Sequence, residues 1–363
     1  MTLAPPPELT DSAPGSPRTA ATVTAVLVLR GPITGLPETL DGLARQTRMP
    51  DRLVVVDLGL DGEAVETVRA HAALGRAIPA VSWVTVPGSA SIGYAVGAAL
   101  AHDAEIAVAQ GDRGPETDHV WVLTCDTAAA PMALARLLDA VRRSPSVGVA
   151  GPKLVDWYQP GTLRSIGVQV TRSGRLVPLP APGEPDQGQY DRRTDVLAVP
   201  STGMLVERSL VESLGGHERV LGDFGSELDF AWRAQLAGHR VVVVPRATVR
   251  TGAAVAPTSA PAMRGPAANR VRRQARRVAL ARCAWWALPF LAVWIAVSSV
   301  VAAVALVVAK RPRAAWAELS DVGAVLTPAR VIGARWRSRG TRRVRRRDLV
   351  GLFVPTRTVL RHT

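Results

Sequence analysis

Residues 23–29 read Val-Thr-Ala-Val-Leu-Val-Leu, and residues 53–57 read Leu-Val-Val-Val-Asp. Short, continuous runs of aliphatic residues are typical of strands that are buried on both faces. Between the two runs, Leu36, Leu40 and Leu43 recur at helical spacing and predict a helix that begins near Pro37. Two buried strands joined by a helix form a β-α-β unit with parallel strands, and this unit decides the fold class.

The same alternation continues along the chain and predicts an α/β fold with a mostly parallel, Rossmann-like sheet flanked by helices. Ligands of such folds bind at the carboxyl ends of the strands. Two long connections are also predicted: an exposed loop at 104–118, and a polar loop at 178–195 that is long enough to form a lid or an acceptor platform. Further strands are predicted at 81–86, 120–123, 147–151, 196–199 and 240–244, further helices at 63–74, 95–102, 207–214 and after Pro131, and a hairpin at 163–177.

Positive charge is concentrated at the C-terminal end. Residues 264–363 hold 21 Lys and Arg against three acids, a net charge of +18, whereas residues 1–263 hold 23 basic and 27 acidic residues, a net charge of −4. This segregation predicts a near-neutral globular part joined to a basic segment that meets phosphate groups, of lipid or of nucleic acid. The two cysteines imply no disulfide framework.

The chain divides into five predicted segments. Residues 1–22 carry five prolines and lack the basic and apolar regions of a secretory signal, so a disordered N-terminus and a cytoplasmic globular part are expected. The globular domain covers 23–255, and a basic linker covers 256–283. Residues 284–309 form an uncharged run of 26 residues that contains Pro289. It is long enough to cross a bilayer, and the alternatives are a re-entrant or interfacial hairpin and a buried core helix. Residues 310–363 form a basic helical tail suited to anionic lipid.

Acidic residues occur at three strand ends or strand-to-helix turns. Asp57 and Asp126 each follow an apolar strand, and Glu227 and Asp229 follow Ser226, a predicted helix N-cap. One acid in such a set can read a nucleobase, one can hold a divalent metal against a diphosphate, and one can accept a proton from a hydroxyl. The alternative for the last pair is an ordinary capped helix with two solvated acids.

Several other kinds of site are excluded by the sequence. The histidines and cysteines do not cluster at zinc-binding spacing. A P-loop motif is absent, and no Gly-x-Gly-x-x-Gly follows the first strand. Ser201 and Ser226 lack a nearby histidine pattern for nucleophilic catalysis, so both are predicted to be turn or cap residues.

The order of the acidic motifs resembles that of a known enzyme family. Asp57 with Gly59 and Asp61 is similar to a Val-Asp-Asn-Gly-Ser-x-Asp turn, and Thr124-Cys125-Asp126 falls where an Asp-x-Asp motif is found. Residues 226–233, Ser-Glu-Leu-Asp-Phe-Ala-Trp-Arg, are similar to Glu-Asp-x-Asp-x-x-x-Arg. Over residues 23–250 the chain therefore resembles the inverting glycosyltransferases of family 2, which have the GT-A fold, and most of all their large actinobacterial members with membrane segments. The copy departs from the family pattern at Thr124, which replaces an Asp, and at 249–251, where no histidine occurs.

The resemblance implies transfer of a sugar from a nucleotide sugar to a hydroxyl of a glycan or lipid-linked glycan. It assigns the catalytic base to Glu227, nucleoside binding to Asp57, and a divalent metal, Mg²⁺ or Mn²⁺, to Asp126. The expected place is the cell membrane, with the catalytic domain cytoplasmic and a role in building the cell envelope. The candidate substrate-binding residues are Arg30, Asp57, Gly59, Asp61, Gly93, Asp126, Gly203, Asp229, Trp232 and Arg233.

Two other functions stay open from the sequence. A glycosyltransferase-like scaffold with an impaired metal site would also fit the departures from the family motifs. Nucleic-acid binding through the arginine-rich tail ranks last and is not expected, because the 26-residue apolar run favours lipid. Binding of a nucleotide sugar and Mn²⁺ separates the transferase from the scaffold.

Overall fold

The computed structural model describes most of the chain. The described residues are 21–31, 33–59, 62–78, 80–109, 119–177, 179–192, 194–252, 265–324, 328–337, 340 and 342–355. Nearly all of the predicted disordered N-terminus, Asp61, most of the predicted loop at 104–118, and residues 253–264 of the predicted linker therefore lie outside the description.

Nine strands form one mixed sheet within the described residues. Along the sheet they follow the order β3-β2-β1-β4-β8-β6-β9-β5, and β7 pairs with β6. The first four of these are parallel, β8 runs antiparallel to both β4 and β6, and β6 and β9 are parallel. The bounds are β1 Val23–Val28, β2 Arg52–Asp57, β3 Ala80–Thr85, β4 His119–Thr124, β5 Thr127–Ala129, β6 Val147–Asp156, β7 Leu163–Ser165, β8 Leu205–Glu207 and β9 Arg240–Thr251.

Helices cover both faces of the sheet. Alternate residues of β1 lie in different cores: Val26 and Val28 pack beneath α4 and α7, whereas Ala25 and Leu27 pack beneath α1 and α5. Burial on both faces is the reason the strands are apolar throughout, and it confirms the predicted fold class. The bounds are α1 Leu36–Ala44, α2 Gly62–Ala70, α3 Ala72–Ala77, α4 Ile92–Ala109, α5 Ala133–Arg143, α6 Arg208–Ser213, α7 Asp223–Leu236, α8 Gly265–Arg282, α9 Leu288–Val308, α10 Pro312–Ser320 and α11 Pro328–Arg337.

Several predicted elements differ in extent. The predicted helix at 63–74 is two helices, because His71 ends the first and caps the second, accepting a hydrogen bond from the Leu74 N–H. Helix α4 continues to Ala109, so the predicted loop at 104–118 begins as helix, consistent with the alanines there. Strands β6 and β9 extend to Asp156 and Thr251 because they pair with each other along almost their whole length. The predicted strand at 196–199 and most of the predicted hairpin at 163–177 form only isolated bridges.

The predicted basic linker at 256–283 is helical over its described part. Helix α8 packs on α7 and buries Ala268, Ala275, Val278 and Ala279. Helix α9 is unbroken, since Pro289 lies in its first turn, where a missing N–H breaks no helical hydrogen bond. By length and composition, α9 is the one helix among the described residues that is able to cross a membrane.

Candidate active site

The site is built where the carboxyl ends of β1, β2 and β4 meet the beginning of α7. Arg30 follows β1, and its guanidinium donates to Asp223 Oδ2 at 2.7 Å and to the Ala90 carbonyl at 3.2 Å. The first residue of α7 is thereby tied to the end of β1 and to the turn before α4. This edge of the sheet is the one at which the sequence predicted a ligand.

Helix α7 begins earlier than predicted. Its first residue is Asp223 and its N-cap is Gly222, whose positive φ of 81° suits glycine. Ser226 is therefore not the N-cap; its hydroxyl donates back to the Asp223 carbonyl at 2.7 Å. Glu227 and Asp229 lie in the second turn, and Asp223 is the acid that lies in the first turn, where the helix dipole favours negative charge.

Glu227 has the electrostatic environment of a proton acceptor. Its carboxylate accepts hydrogen bonds from the hydroxyl and backbone N–H of Ser201. The pKa of Glu227 is raised to about 7. Burial is the largest cause and the charge of Asp223 acts in the same direction, while the Ser201 hydrogen bonds and the charge of Arg30 oppose them. A carboxylate with a pKa near neutrality is suited to general base catalysis.

Ser201 is a site residue that the sequence analysis placed only in a turn. The turn containing Ser201 and Gly203 lies beside the end of β4, since the Gly203 N–H donates to the Val122 carbonyl at 2.8 Å. Gly203 has a φ of 72°, and a Cβ there would lie 2.8 Å from a Pro152 ring carbon. Gly203 therefore shapes the turn that brings Ser201 to Glu227. No sequence pattern links these two residues.

Asp126 has one carboxylate oxygen that no group in the described part of the chain uses. Oδ1 accepts from the Thr124 hydroxyl at 2.8 Å, and Oδ2 is buried without a hydrogen-bond partner. Gly252 lies beside Oδ2: a Cβ added at Gly252 would be 3.1 Å from that oxygen. Thr124, which replaces the first acid of the family motif, orients Asp126 instead of supplying a second charge. A buried carboxylate with a free oxygen fits a divalent cation.

The protein alone supplies few ligands for such a cation. Among the described residues, no group of three or more His, Cys, Asp or Glu side chains is arranged to hold a metal. Mg²⁺ commonly uses only one or two carboxylates and completes its coordination with substrate phosphates and water. Asp126 therefore fits a metal that binds together with a diphosphate.

Asp57 lies at the end of β2 and shapes the turn that follows. Its Oδ1 accepts from the Gly59 N–H at 2.7 Å, and Gly59 has a φ of 65°, which favours glycine. The neighbouring Leu58 is buried, which accounts for the apolar residue at a position that is polar in the family motif.

Three predicted substrate-binding residues on α7 are buried in contacts with other parts of the protein. Asp229 is fully buried, and its carboxylate accepts from Arg233 Nε at 2.8 Å and from Arg282 Nε at 2.5 Å. The remaining Arg233 nitrogens donate to the carbonyls at 214 and 216, at 2.6 Å each. Trp232 is buried against Phe353, with ring centroids 5.0 Å apart. These side chains hold α7, α8 and the C-terminal segment together.

His217 is a further residue that the sequence analysis did not select. Its ring stacks on Phe230 with centroids 4.5 Å apart, and both ring nitrogens are buried without hydrogen-bond partners among the residues that the structure describes. The pKa of His217 is lowered to about 4, chiefly by burial and also by the charge of Arg233, while the charge of Asp229 acts in the opposite direction. Gly93 lies directly under the ring, since a Cβ there would be 2.2 Å from His217 Cγ. The role of Gly93 in this structure is to admit the imidazole.

The comparison with known families decides which class of protein this chain belongs to. The family described as "Glycosyltransferase like family 2" matches residues 17–278. The chain belongs to this family. Membership places it among the glycosyltransferases and confirms the resemblance seen in the motifs, including the GT-A fold; the closer likeness to actinobacterial members stays a prediction.

The comparison with solved structures gives matches at low sequence identity. One is described as "Crystal structure of GalNAc-T7 with UDP, GalNAc and Mn2+"; it is 13% identical with a TM-score of 0.46, and the match covers 71% of this chain but 48% of that one. Another is the mannosyltransferase PcManGT from Pyrobaculum calidifontis in complex with GDP-Man and Mn²⁺, which is 18% identical with a TM-score of 0.43 and 88% coverage of both chains. The chain has no match among curated proteins. The chain spans about half the length of the GalNAc-T7 structure that it matches.

Proposed function

We propose that this glycosyltransferase transfers a sugar from a nucleotide sugar to an acceptor hydroxyl by direct displacement with inversion. The observation that carries the proposal is the environment of Glu227, whose pKa near 7 is set by burial at the carboxyl edge of the sheet. Transfer by displacement needs one base, and the family motif has its base at this position.

In the proposed reaction the Glu227 carboxylate accepts the proton of the acceptor hydroxyl. The hydroxyl oxygen forms a bond to the anomeric carbon as the bond between that carbon and the donor diphosphate breaks, and the nucleoside diphosphate leaves. Attack from the face opposite the leaving group inverts the anomeric configuration. Ser201 donates two hydrogen bonds to Glu227 and thereby orients the accepting oxygen.

The donor would lie along the ends of β1, β2 and β4. Asp57 would accept hydrogen bonds from the nucleoside, and the Arg30 guanidinium, paired with the exposed Asp223, would lie near the diphosphate. Asp126 would hold a Mg²⁺ or Mn²⁺ ion through its free Oδ2, and such an ion neutralises charge on the leaving diphosphate. Asp229, Trp232 and Arg233 are proposed to position α7 instead of touching the donor.

The proposed setting is the inner surface of a cell membrane, with a glycan or lipid-linked glycan of the envelope as acceptor. Its support is the exposed apolar face of α9 together with the exposed basic residues that follow that helix. A membrane-bound enzyme meets a lipid-linked acceptor at high local concentration. The catalytic domain then lies in the cytoplasm, where nucleotide sugars are made.

The test compares Glu227→Gln with the wild type, using the full-length chain. Nucleotide binding is measured by calorimetry with UDP, GDP and dTDP sugars in the presence of Mn²⁺, and transfer by release of the nucleoside diphosphate. The proposal expects at least 100-fold slower transfer by the Gln variant with unchanged nucleotide affinity, since the substitution removes the base and keeps its shape. The matched control is Glu63→Gln on the exposed side of α2, which should retain full transfer.

Two results would overturn the proposal. If Glu227→Gln transfers at the wild-type rate, another group is the base. If the wild type binds neither nucleotide sugar nor Mn²⁺, the chain is a scaffold with a glycosyltransferase fold.

A further inference from the structure

We infer that α9 lies along one surface of the membrane and does not cross it, so that both of its ends remain on the side of the catalytic domain. The inference rests on the membrane association proposed above and decides between the spanning and interfacial alternatives for residues 284–309. Four features of the structure carry it: the exposed face of α9, the return of the chain after it, the docking of the C-terminal segment, and the distribution of charge.

One face of α9 is apolar and exposed along the whole helix, while the opposite face is packed on protein. Ile295, Ser299 and Ala303, four residues apart, are buried. A helix that lies in the plane of an interface presents one face to lipid and the other to its own domain. The large apolar side chains exposed on this face recur mostly at intervals of three and four residues and are Phe290, Val293, Trp294, Val297, Val300, Val301, Val304, Val307 and Val308.

The chain returns to the catalytic domain soon after α9 ends. Glu318 on α10 is buried, and its Oε1 lies 3.5 Å from Arg175 Nη2 and 3.6 Å from Arg272 Nη2. Arg175 belongs to the long connection between β7 and β8, and Arg272 lies on α8. Ten residues after Val308, the chain therefore contacts the part of the molecule that precedes α9.

The remaining C-terminal segment is docked on the same domain. The backbone N–H groups of Arg343 and Val344 donate to the Leu236 carbonyl at the end of α7, at 2.8 and 2.9 Å. The Val354 N–H donates to the Val170 carbonyl at 3.0 Å. Residues after α9 thus close the C-terminus of α7 and cover its buried tryptophan, which requires them to be on the same side of any membrane.

A crossing is incompatible with these distances. The hydrocarbon core of a bilayer is about 30 Å thick. Ten residues that are mostly helical cover only about 15 Å, at a rise of 1.5 Å per residue. If α9 crossed, Glu318 would have to leave Arg175 and Arg272, and the segment after it would have to leave α7. Insertion of α9 as a vertical hairpin would place the Glu318 cluster inside hydrocarbon, where charged groups are costly.

The charge around α9 selects anionic lipid as the partner. Lys310, Arg311 and Arg313 follow the helix and are exposed. Five tryptophans are also exposed, namely Trp285, Trp286, Trp294, Trp316 and Trp336, and tryptophan is enriched at the level of the headgroups.

Part of the predicted polybasic tail makes contacts within the protein: Arg335 and Arg346 donate to carbonyls at the end of α8. The arginines that would contact lipid are the exposed ones, Arg342, Arg343, Arg345 and Arg347.

The topology test uses the full-length chain with a protease-cleavable tag at each end, in sealed membrane vesicles of both orientations. The inference expects the two tags to be cut together from the same side in each preparation. Cleavage of the two tags from opposite sides would overturn it. Such a result would leave the catalytic proposal intact, because transfer by the same preparation is measured separately on a water-soluble acceptor.

A second experiment tests the lipid-facing stripe by flotation with vesicles of phosphatidylcholine, with and without phosphatidylglycerol. The double variant Val297→Glu and Val301→Glu should lose flotation by at least tenfold, and the wild type should bind better when phosphatidylglycerol is present. Val108→Glu is the matched control, because Val108 is an exposed valine on a different helix, α4. All three proteins should retain the same transfer rate on the soluble acceptor.

Two outcomes of this experiment would overturn the lipid assignment. One is wild-type flotation that is unaffected by glutamates in the stripe. The other is a wild-type dimer in solution that becomes monomeric in the double variant while neither protein binds vesicles; the stripe would then be a contact between two copies of the chain.

Discussion

The carboxylate of Glu227 accepts one hydrogen bond from the hydroxyl of Ser201 and another from its backbone N–H. The two residues are far apart in the sequence and meet because the turn before β8 lies beside the end of β4, opposite the second turn of α7. The pairing orients a carboxyl group whose pKa is raised by burial. The pKa of Glu227 therefore depends on burial, which raises it, and on the Ser201 hydrogen bonds, which lower it. Each effect can be tested separately.

The pH dependence of transfer should report the pKa of Glu227. A base acts only when deprotonated, so kcat/KM should rise with pH and level off above about 7. Ser201→Ala removes a hydrogen bond that stabilises the charged form, so the acidic limb should move to higher pH. Pre-steady-state or coupled rates from pH 5 to 9 measure the limb. An unmoved limb in the Ala variant would show that the titrating group is not Glu227.

Glu227 should also make the wild-type protein less stable as pH rises. A folded-state pKa of about 7 against an ordinary value of 4.5 means that the folded form binds more protons between these pH values. Its stability therefore falls as pH rises through this window, by at most about 3 kcal/mol at 1.36 kcal/mol per unit, and by less because the side chain is partly exposed. Glu227→Gln should thus be more stable than the wild type at pH 8 and similar to it at pH 5. Urea unfolding at both pH values measures the difference.

Asp126→Asn should weaken nucleotide binding only when metal is present. The substitution removes the negative charge of the carboxylate, including its free Oδ2. It keeps an oxygen that can accept the hydrogen bond from the Thr124 hydroxyl. We expect at least tenfold weaker binding of nucleotide in Mn²⁺ and unchanged binding in EDTA. Calorimetry under both conditions measures this. Equal weakening in the two conditions would indicate a damaged fold instead of a lost metal ligand.

Asp229→Asn should be strongly destabilising. The substitution leaves the guanidinium groups of Arg233 and Arg282 buried without their carboxylate, which typically costs about 3–5 kcal/mol. Asp223→Asn is the control, since its ion pair with Arg30 is exposed and such pairs contribute about 0–1 kcal/mol. The free energies of unfolding in urea compare the two. Similar losses in both variants would contradict the structural role of Asp229.

Gly93→Ala should destabilise the protein by about 1–3 kcal/mol, because its Cβ would overlap the ring of His217. Gly97→Ala on the same helix is the matched control. Nothing lies within 4 Å of a Cβ at Gly97, so that substitution should be neutral or stabilise by up to about 1 kcal/mol. Combining Gly93→Ala with His217→Ala should restore part of the loss. A loss that is the same with and without the imidazole would exclude this contact.

Much of the fold followed from local patterns. The buried strands β1, β2 and β4 were predicted within about one residue, because continuous apolar runs have few alternatives in a chain with this alternation. Asp57 and Asp126 were placed at strand ends for the same reason. The extents of β6 and β9 were underestimated, since their second halves are stabilised by mutual pairing and carry no distinctive local pattern.

The sequence by itself determined the alternation of strands and helices, the order of the acidic motifs, and the approximate position of the apolar helix. It did not determine which way Glu227 and Asp229 point. Two residues apart on a helix, they lie about 200° apart around its axis, and only the packing of α8 decides which one is buried. Nor did it determine the side on which α9 ends, because the contacts of Glu318 with Arg175 and Arg272 join residues distant in the chain. Contacts of this kind leave no periodicity in a sequence and exist only once the chain has folded.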